Sequence, residues 1–197
     1  MITGEKNHIE LMYEHYCSTP SDINKHLPTL YQYASQCIHI TEMGVRNVVS
    51  TYAFLMGKPR KLVCYDINES PNINDAILAA KKNGTEMEFN CKDVLTVEIE
   101  PTEFLFIDTL HQYSQIKREL ELHAGKVTRF IAFHDVHTYG FTPEPADWQT
   151  PNIMENYVHN DKGIMPAILE FLNDNPEWRV VYHTLENNGL MVIEKVC

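Results

Sequence analysis

The chain alternates between two patterns of hydrophobic and polar residues. In the first, apolar residues recur every three or four positions, as on one face of a helix; in the second, short apolar runs are typical of strands. The helical pattern covers residues 22–36, 48–56, 73–82, 114–123 and 162–173, and the strand pattern covers 37–43, 61–66, 86–90, 103–108, 129–135, 178–185 and 189–195. Strands separated by helices predict an α/β fold with a doubly wound, mostly parallel sheet. The last two strands face each other across Asn187 and Asn188, which predicts a hairpin.

Length and composition indicate one domain over residues 1–197, because 197 residues with 44% hydrophobic content are enough for one full core. No apolar run approaches the roughly 20 residues of a membrane helix, and the first eight residues lack the apolar stretch of a secretory signal. The five cysteines are scattered and form no C-x-x-C pair, which favours free thiols in a reducing compartment. We therefore expect a cytoplasmic protein without membrane attachment.

The net charge of −11 argues against nucleic acid as a partner, because binding to a phosphate backbone requires a basic surface. A small-molecule substrate fits this charge better. A homo-oligomer is compatible with the sequence, which gives no further indication of the oligomeric state.

Acidic residues end four of the predicted core strands. Ligands of doubly wound sheets bind beyond the carboxyl ends of the strands, so these side chains are expected to converge on one crevice. An acid at a strand end can also cap the following helix, but four at equivalent positions favour a shared site. The four residues are Glu42, Asp66, Asp108 and Asp135.

The segment after the first strand indicates what the crevice binds. Gly44 allows the backbone to approach a ligand closely, and Asp66 can accept hydrogen bonds from ribose hydroxyls. The dinucleotide fingerprint G-x-G-x-x-G is absent, since Arg46 and Asn47 stand where glycines are needed. A nucleoside without a pyrophosphate therefore fits better, and a nicotinamide oxidoreductase is disfavoured.

Histidines surround the last two acids. His111, His134 and His137 lie within three residues of Asp108 or Asp135. Carboxylates with imidazoles suit a divalent cation, Mg²⁺ or Mn²⁺ where oxygen ligands dominate and zinc or iron where imidazoles join. His111 is also placed to act as a general base near neutral pH. The alternative interpretation is surface polarity, in a chain with ten histidines.

These motifs together resemble a known family. Glu42-x-Gly44 with Ser50-Thr51, then Tyr65-Asp66, then Ile107-Asp108-Thr109-x-His111-x-Tyr113 and Phe133-His134-Asp135 are similar to the class I S-adenosylmethionine-dependent methyltransferases. The subgroup resembled comprises small-molecule O-methyltransferases and cephalosporin-hydroxylase-like proteins, over about residues 20–195. The resemblance implies a seven-stranded Rossmann-like sheet whose last strand is antiparallel.

The resemblance also implies roles for individual residues. Glu42 and Gly44 would contact the methionine part of the cofactor, Asp66 the ribose, Ile67 the adenine ring and Asp93 the adenine amino group. The full cofactor-binding set implied is Glu42, Gly44, Ser50, Asp66, Ile67, Asp93 and Asp108.

The implied metal site contains Asp108 and Asp135. The family's third ligand follows the second acid, where this chain has Val136, so His134 is the candidate replacement. His111 stands at the offset of the family's lysine base, which makes His111 and Asp108 the predicted catalytic pair.

The predicted activity is methyl transfer from S-adenosylmethionine to a hydroxyl of a sugar or phenol-like molecule, assisted by Mg²⁺ or Mn²⁺. Two alternatives remain open at this point: a metal-dependent oxygenase-like enzyme on the same fold, and a non-catalytic S-adenosylmethionine-binding module. Residues 1–36 are predicted to form a helical cover, and residues 136–161, too long for an ordinary connection, a lid or substrate insertion.

Overall fold

A computed structural model describes residues 6–145 and 162–196 of the chain. Its helices are α1 (His8–Ser18), α2 (Leu27–Ala34), α3 (Val49–Met56), α4 (Ile73–Lys82), α5 (Tyr113–His123) and α6 (Met165–Asp174). Its strands are β1 (His39–Met43), β2 (Lys61–Asp66), β3 (Glu86–Cys91), β4 (Thr102–Ile107), β5 (Val127–His134), β6 (Trp178–Thr184) and β7 (Leu190–Lys195).

The strands form a seven-stranded sheet in the order β3-β2-β1-β4-β5-β7-β6. All pairs from β3 to β5 are parallel, whereas β7 runs antiparallel to both β5 and β6. The predicted doubly wound sheet with an antiparallel last strand is confirmed. The sequence order reverses beside β1, so the carboxyl ends of β1, β2 and β4 open onto the crevice at which such sheets bind ligands.

Both faces of the sheet are covered, which explains the continuous apolar runs of the central strands. Phe104 and Phe106 of β4 pack in one core cluster with residues of α1, α2, α3 and α4. Leu105 and Ile107 of the same strand pack in a second cluster with residues of α5 and α6. All four side chains are buried.

Two helices begin later than the sequence pattern predicts, and both have a proline in the first turn. The first was predicted from residue 22, but α2 begins at Leu27 after a 3₁₀ turn over Asn24–His26. The second was predicted from residue 162, but α6 begins at Met165. Proline inside a helix removes a backbone hydrogen bond and clashes with the preceding turn, so Pro28 and Pro166 are tolerated only near the start.

The predicted cover and lid are described only in part. Helix α1 packs against α3 and α4, and Asp22 in the following segment reaches the cavity at the carboxyl edge of the sheet. Within the predicted lid, residues 136–145 are described and residues 146–161 lie outside the described part of the chain. Among the described helices, none is long and apolar enough to cross a membrane.

Candidate functional site

A cavity of about 490 Å³ lies at the carboxyl edge of the sheet, within the range typical of small-molecule sites. Its wall contains most of the residues that the sequence pointed to. Those at the wall are Gly44, Asp66, Ile67, Asp93, Asp108, His111 and Asp135. Glu42, Ser50 and His134 do not line it. The structure therefore brings the expected residues at and after the carboxyl ends of β1 to β5 to one space.

Glu42 lies beneath the cavity, not at its wall. Its side chain is fully buried and accepts hydrogen bonds from the hydroxyls of Ser50 (2.5 Å) and Thr51 (2.8 Å) and from the Cys64 thiol (3.2 Å). Burial raises the pKa of Glu42 to about 7, although the three hydrogen bonds oppose the rise. Glu42 and Ser50 thus tie β1 to α3 and β2, in contrast to the expected contact with the methionine part of a cofactor.

Gly44 is required by the backbone packing of the site. Its φ is +87°, and a Cβ atom there would overlap the carbonyl oxygen of Asp108. Only glycine lets the loop after β1 pass this close to the end of β4. The absence of a side chain at Gly44 therefore allows the loop after β1 to pack against the backbone of Asp108, directly after β4.

The Asp66 carboxylate organises the loop after β1. Its Oδ2 accepts from the backbone N–H groups of Val45 (2.8 Å) and Arg46 (2.9 Å), and its Oδ1 accepts from the backbone N–H of Asn68 (2.9 Å). Arg46 and Val48 have positive φ values of 45° and 60°, which non-glycine residues rarely adopt. A carboxylate has about four acceptor positions, so one on Oδ1 is left for a ligand.

Asp93, two residues after β3, also both bonds the backbone and lines the cavity. Its Oδ1 accepts from the backbone N–H of Leu95 at 2.9 Å and caps the short helix Val94–Thr96. The same side chain lines the cavity beside the residues that follow β2.

Two acids and two histidines, Asp108, Asp135, His111 and His134, form a cluster at the cavity. We call this cluster the Asp–His square. Asp108 Oδ1 lies 3.2 Å from His111 Nε2 and 3.1 Å from His134 Nδ1. Asp135 Oδ2 lies 3.3 Å from His111 Nε2 and 3.1 Å from His134 Nδ1. One ligand atom from each residue falls within 4.8 Å of all the others, close enough for a single cation to be held.

Charges within the square shift its pKa values. Burial would raise the pKa of Asp108, but His134 and His111 hold it well below its usual range. Burial would lower the pKa of His111, but hydrogen bonds to Asp108 and Glu144 raise it to about 9. The pKa of His134 is raised well above its usual value by Asp108 and Asp135, against the effect of burial. Without a bound cation, these shifts favour the doubly protonated, cationic form of both imidazoles.

Protonation bears directly on the predicted role of His111. A protonated imidazole cannot accept a proton, so this geometry does not favour His111 as a general base at neutral pH. The hydroxyl of Tyr113, five residues after Asp108, donates to Glu170 (2.6 Å) and accepts from Lys117 (2.9 Å), and Tyr113 does not line the cavity.

Two residues of the site were missed by the sequence reasoning. Glu144 Oε2 lies 2.9 Å from His111 Nδ1 and accepts from the His111 backbone N–H at 3.1 Å. The backbone carbonyl of Asp22 lies 3.2 Å from His134 Nε2, and its carboxylate pairs with Arg46 at 2.7 Å. Asp22 was predicted to start the first helix and Glu144 fell within the predicted lid, but in the structure both lie outside helices and strands, so the sequence offered no reason to place them at the site.

The charge of the cavity wall is predominantly negative. The wall contains seven carboxylates, against two basic side chains, Arg46 and Lys92, and the imidazole of His111. The carboxylates belong to Asp22, Asp66, Glu69, Asp93, Asp108, Asp135 and Glu144. A low-dielectric cleft of one sign concentrates ions of the opposite sign, so the described wall favours cations over anions.

Comparison with known proteins places the fold among methyltransferases. No family model matches the chain. No curated protein matches it either. An O-methyltransferase from Bacillus cereus in complex with S-adenosylhomocysteine aligns with a TM-score of 0.61 and 15% identity, covering 98% of this chain and 93% of that one.

Two further solved structures agree with it. A proposed caffeoyl-CoA O-methyltransferase from Staphylococcus aureus gives a TM-score of 0.61 at 16% identity, covering 96% of this chain and 93% of that one. A Podospora anserina methyltransferase bound to S-adenosylhomocysteine gives 0.57 at 19% identity, covering 96% and 88%. At these identities the likeness concerns the architecture. The chain has the Rossmann-like fold of S-adenosylmethionine-dependent methyltransferases over nearly its whole length.

Proposed function

We propose that the protein is an S-adenosylmethionine-dependent methyltransferase that methylates a hydroxyl of an uncharged small molecule, aided by a divalent cation. The observation that carries this proposal is a shared cavity: the edge formed by Asp66, Ile67 and Asp93 and the Asp–His square open onto the same space. A nucleoside-type donor at one end and a cation-bound hydroxyl at the other would face each other there.

The cofactor end of the cavity has suitable chemistry. Asp66 keeps an acceptor position for a ribose hydroxyl, Ile67 offers an apolar surface, and Asp93 supplies a carboxylate for an amino group. S-adenosylmethionine, when bound, supplies an electrophilic methyl group on a positively charged sulfur. The acidic wall favours that charge, and the absence of a glycine-rich phosphate loop at Arg46 and Asn47 suits a cofactor without phosphates.

The cation end is also suitable. Asp135 is buried, the Asp108 side chain is 24% exposed, and Oδ1 of Asp135 has no hydrogen-bond partner among the described residues. A divalent cation, when bound, would lower the pKa of a hydroxyl group, as metals do for water. The chain's own contribution is then to hold these carboxylates at the ends of β4 and β5 and to keep the acceptor in line with the methyl group, which is the main source of rate in such a transfer.

The charge of the cavity narrows the acceptor class. An acceptor bearing phosphate or carboxylate groups would meet the seven carboxylates of the wall. This disfavours a coenzyme A thioester, the substrate named for the Staphylococcus aureus neighbour. It favours a neutral acceptor such as a sugar or a phenol.

The comparisons give no support to the two alternatives, the oxygenase-like enzyme and the non-catalytic binding module. The proposal is tested by incubating the protein with methyl-labelled S-adenosylmethionine, a divalent cation and a panel of neutral phenols and sugars. Label transferred to an acceptor oxygen supports it. Binding of S-adenosylmethionine without transfer to any member of a broad panel would favour the binding module instead.

A further inference from the structure

The Asp–His square contains two imidazoles whose outer nitrogens are both occupied. His111 Nδ1 faces the Glu144 carboxylate at 2.9 Å, and His134 Nε2 faces the backbone carbonyl of Asp22 at 3.2 Å. A carboxylate or a carbonyl can only accept, so each outer nitrogen carries the hydrogen. In a neutral ring the inner nitrogen then presents its lone pair.

Both inner nitrogens point at the same pair of carboxylates. His111 Nε2 and His134 Nδ1 each lie 3.1–3.3 Å from oxygens of Asp108 and Asp135. Lone pairs directed at carboxylates repel them unless a positive charge stands between. Protons on both rings would supply that charge, and so would a metal ion. An acceptor on the outer nitrogen of a histidine is the arrangement that proteins use to orient a metal-binding imidazole.

An independent observation indicates a missing cationic partner. Asp135 is 5% exposed, lines the cavity, and its Oδ1 has no hydrogen-bond partner in the described part of the chain. Protonation of the histidines leaves this oxygen unpaired, because both rings already face Oδ2. Leaving a buried carboxylate oxygen unpaired is costly, whereas a metal ion can bind either or both oxygens of a carboxylate.

The spacing within the square is close enough for one ion to contact all four residues. The four contacts between carboxylate and imidazole atoms are 3.1–3.3 Å, and one ligand atom of each residue lies within 4.8 Å of all the others.

We propose that His111 and His134 bind the metal ion directly together with Asp108 and Asp135, and that the site selects an imidazole-preferring ion such as Zn²⁺, Fe²⁺ or Co²⁺ over Mg²⁺. Glu144 is a positioning residue that fixes the His111 ring. Imidazole suits these ions, whereas Mg²⁺ takes oxygen ligands and keeps several waters. The inference deepens the proposed function by naming the ion, and its test needs neither S-adenosylmethionine nor turnover.

The test is a titration of the chelator-treated protein with Co²⁺ alone, followed by visible absorption. We expect one Co²⁺ per chain, displaced by Zn²⁺ and retained against a large excess of Mg²⁺. His111→Ala and His134→Ala should each weaken binding at least about tenfold and change the spectrum, and Glu144→Gln should weaken it about 10–100-fold. His137→Ala, an exposed histidine two residues after Asp135, is the matched control and should bind as the wild type does.

A second measurement needs no variant and so does not depend on whether the histidine variants fold. In histidine-ring ¹H–¹⁵N spectra of the wild-type protein, Zn²⁺ should shift two rings of the cluster and leave the exposed His137 and His183 unchanged. No binding of Co²⁺ or Zn²⁺, or Mg²⁺ binding as tightly as either, would overturn the proposal, and the square would then be a self-neutralised ring of ion pairs. Metal binding without S-adenosylmethionine binding would contradict the proposed function alone.

Discussion

Oδ2 of Asp66 accepts hydrogen bonds from two consecutive backbone N–H groups, those of Val45 and Arg46, at 2.8 and 2.9 Å. The acid that ends β2 therefore holds the loop that follows β1, and that loop forms one wall of the cavity. A ligand that bonds Asp66 is thereby coupled to the conformation of residues 45–48.

This coupling predicts the effect of removing the Asp66 carboxylate. Asp66→Ala should weaken S-adenosylhomocysteine binding by roughly 1.5–3 kcal/mol, because a charge-assisted hydrogen bond to ribose is lost. Glu69→Ala is the matched control, since it removes a carboxylate from the same cavity wall and should change affinity far less. Calorimetric titration of both variants, with circular dichroism to confirm folding, decides the matter. If both variants lost the same binding free energy for S-adenosylhomocysteine, Asp66 would not be a specific contact of this ligand.

Gly44 should tolerate no side chain. Gly44→Ala combines a φ of +87° with overlap of the Asp108 carbonyl oxygen. Gly84→Ala has nearly the same φ, +84°, but no atom of the described residues lies within 4 Å of the added atom, so it isolates the cost of the backbone conformation. We expect Gly84→Ala to cost about 1–2 kcal/mol of unfolding free energy and Gly44→Ala clearly more. Urea unfolding measures both, and similar values would show that the loop after β1 can move away from β4.

The buried carboxyl of Glu119 predicts a loss of stability as pH rises. Burial raises its pKa to about 7, against hydrogen bonds from Thr109 and Gln115, and its Oε2 has no partner among the described residues. A glutamate in the unfolded chain has a pKa of about 4.5, so between pH 4.5 and about 7 the folded state binds the proton and the unfolded state does not. The protonated Glu119 carboxyl therefore contributes on the order of 3 kcal/mol to the free energy of unfolding. This contribution is fully present below pH 4.5 and is lost as pH rises through about 7.

Unfolding by urea at pH 5 and pH 8 checks this. Glu119→Gln should reduce the difference between the two pH values, because the amide does not titrate. Glu121→Gln lies on the exposed side of the same helix and should leave the pH dependence unchanged. A wild-type pH dependence in Glu119→Gln would show that this carboxyl ionises as readily in the folded protein as in the unfolded chain.

The acidic wall predicts discrimination by acceptor charge. A neutral phenol should have a kcat/KM at least about tenfold above that of the same phenol bearing a phosphate group, because a tenfold ratio corresponds to only about 1.4 kcal/mol of electrostatic repulsion. Added salt should reduce this ratio of kcat/KM values, because it screens the carboxylate charges of the cavity wall. A preference for the phosphorylated acceptor would mean that cationic residues outside the described wall dominate recognition.

The sequence predicts much of the architecture because the strands are short apolar runs with acids at their ends. Asp66, Asp108 and Asp135 reach the cavity as expected. Glu42 was expected there too, but Ser50 and Thr51 hold its carboxylate beneath the wall. The spacing of an acid and two hydroxyls does not reveal whether the acid faces a ligand or a neighbouring helix.

Residues outside regular elements were harder to predict. Glu144 and Asp22 orient the two histidines from irregular segments, where no periodicity marks a side chain for a particular neighbour. The base role of His111 was inferred from the usual pKa of an imidazole, but two carboxylates within 3.3 Å and a third at 2.9 Å on the opposite nitrogen change that pKa. The charge environment is a property of the fold and not of the local sequence.

The central claim is that the cavity binds S-adenosylmethionine. It is tested most directly by calorimetric titration of the full chain with S-adenosylhomocysteine, with adenosine diphosphate as the comparison ligand. The account predicts one S-adenosylhomocysteine per chain and no comparable binding of adenosine diphosphate, since the acidic wall and the absence of a glycine-rich loop disfavour phosphates. No binding of S-adenosylhomocysteine, or tighter binding of adenosine diphosphate, would contradict it.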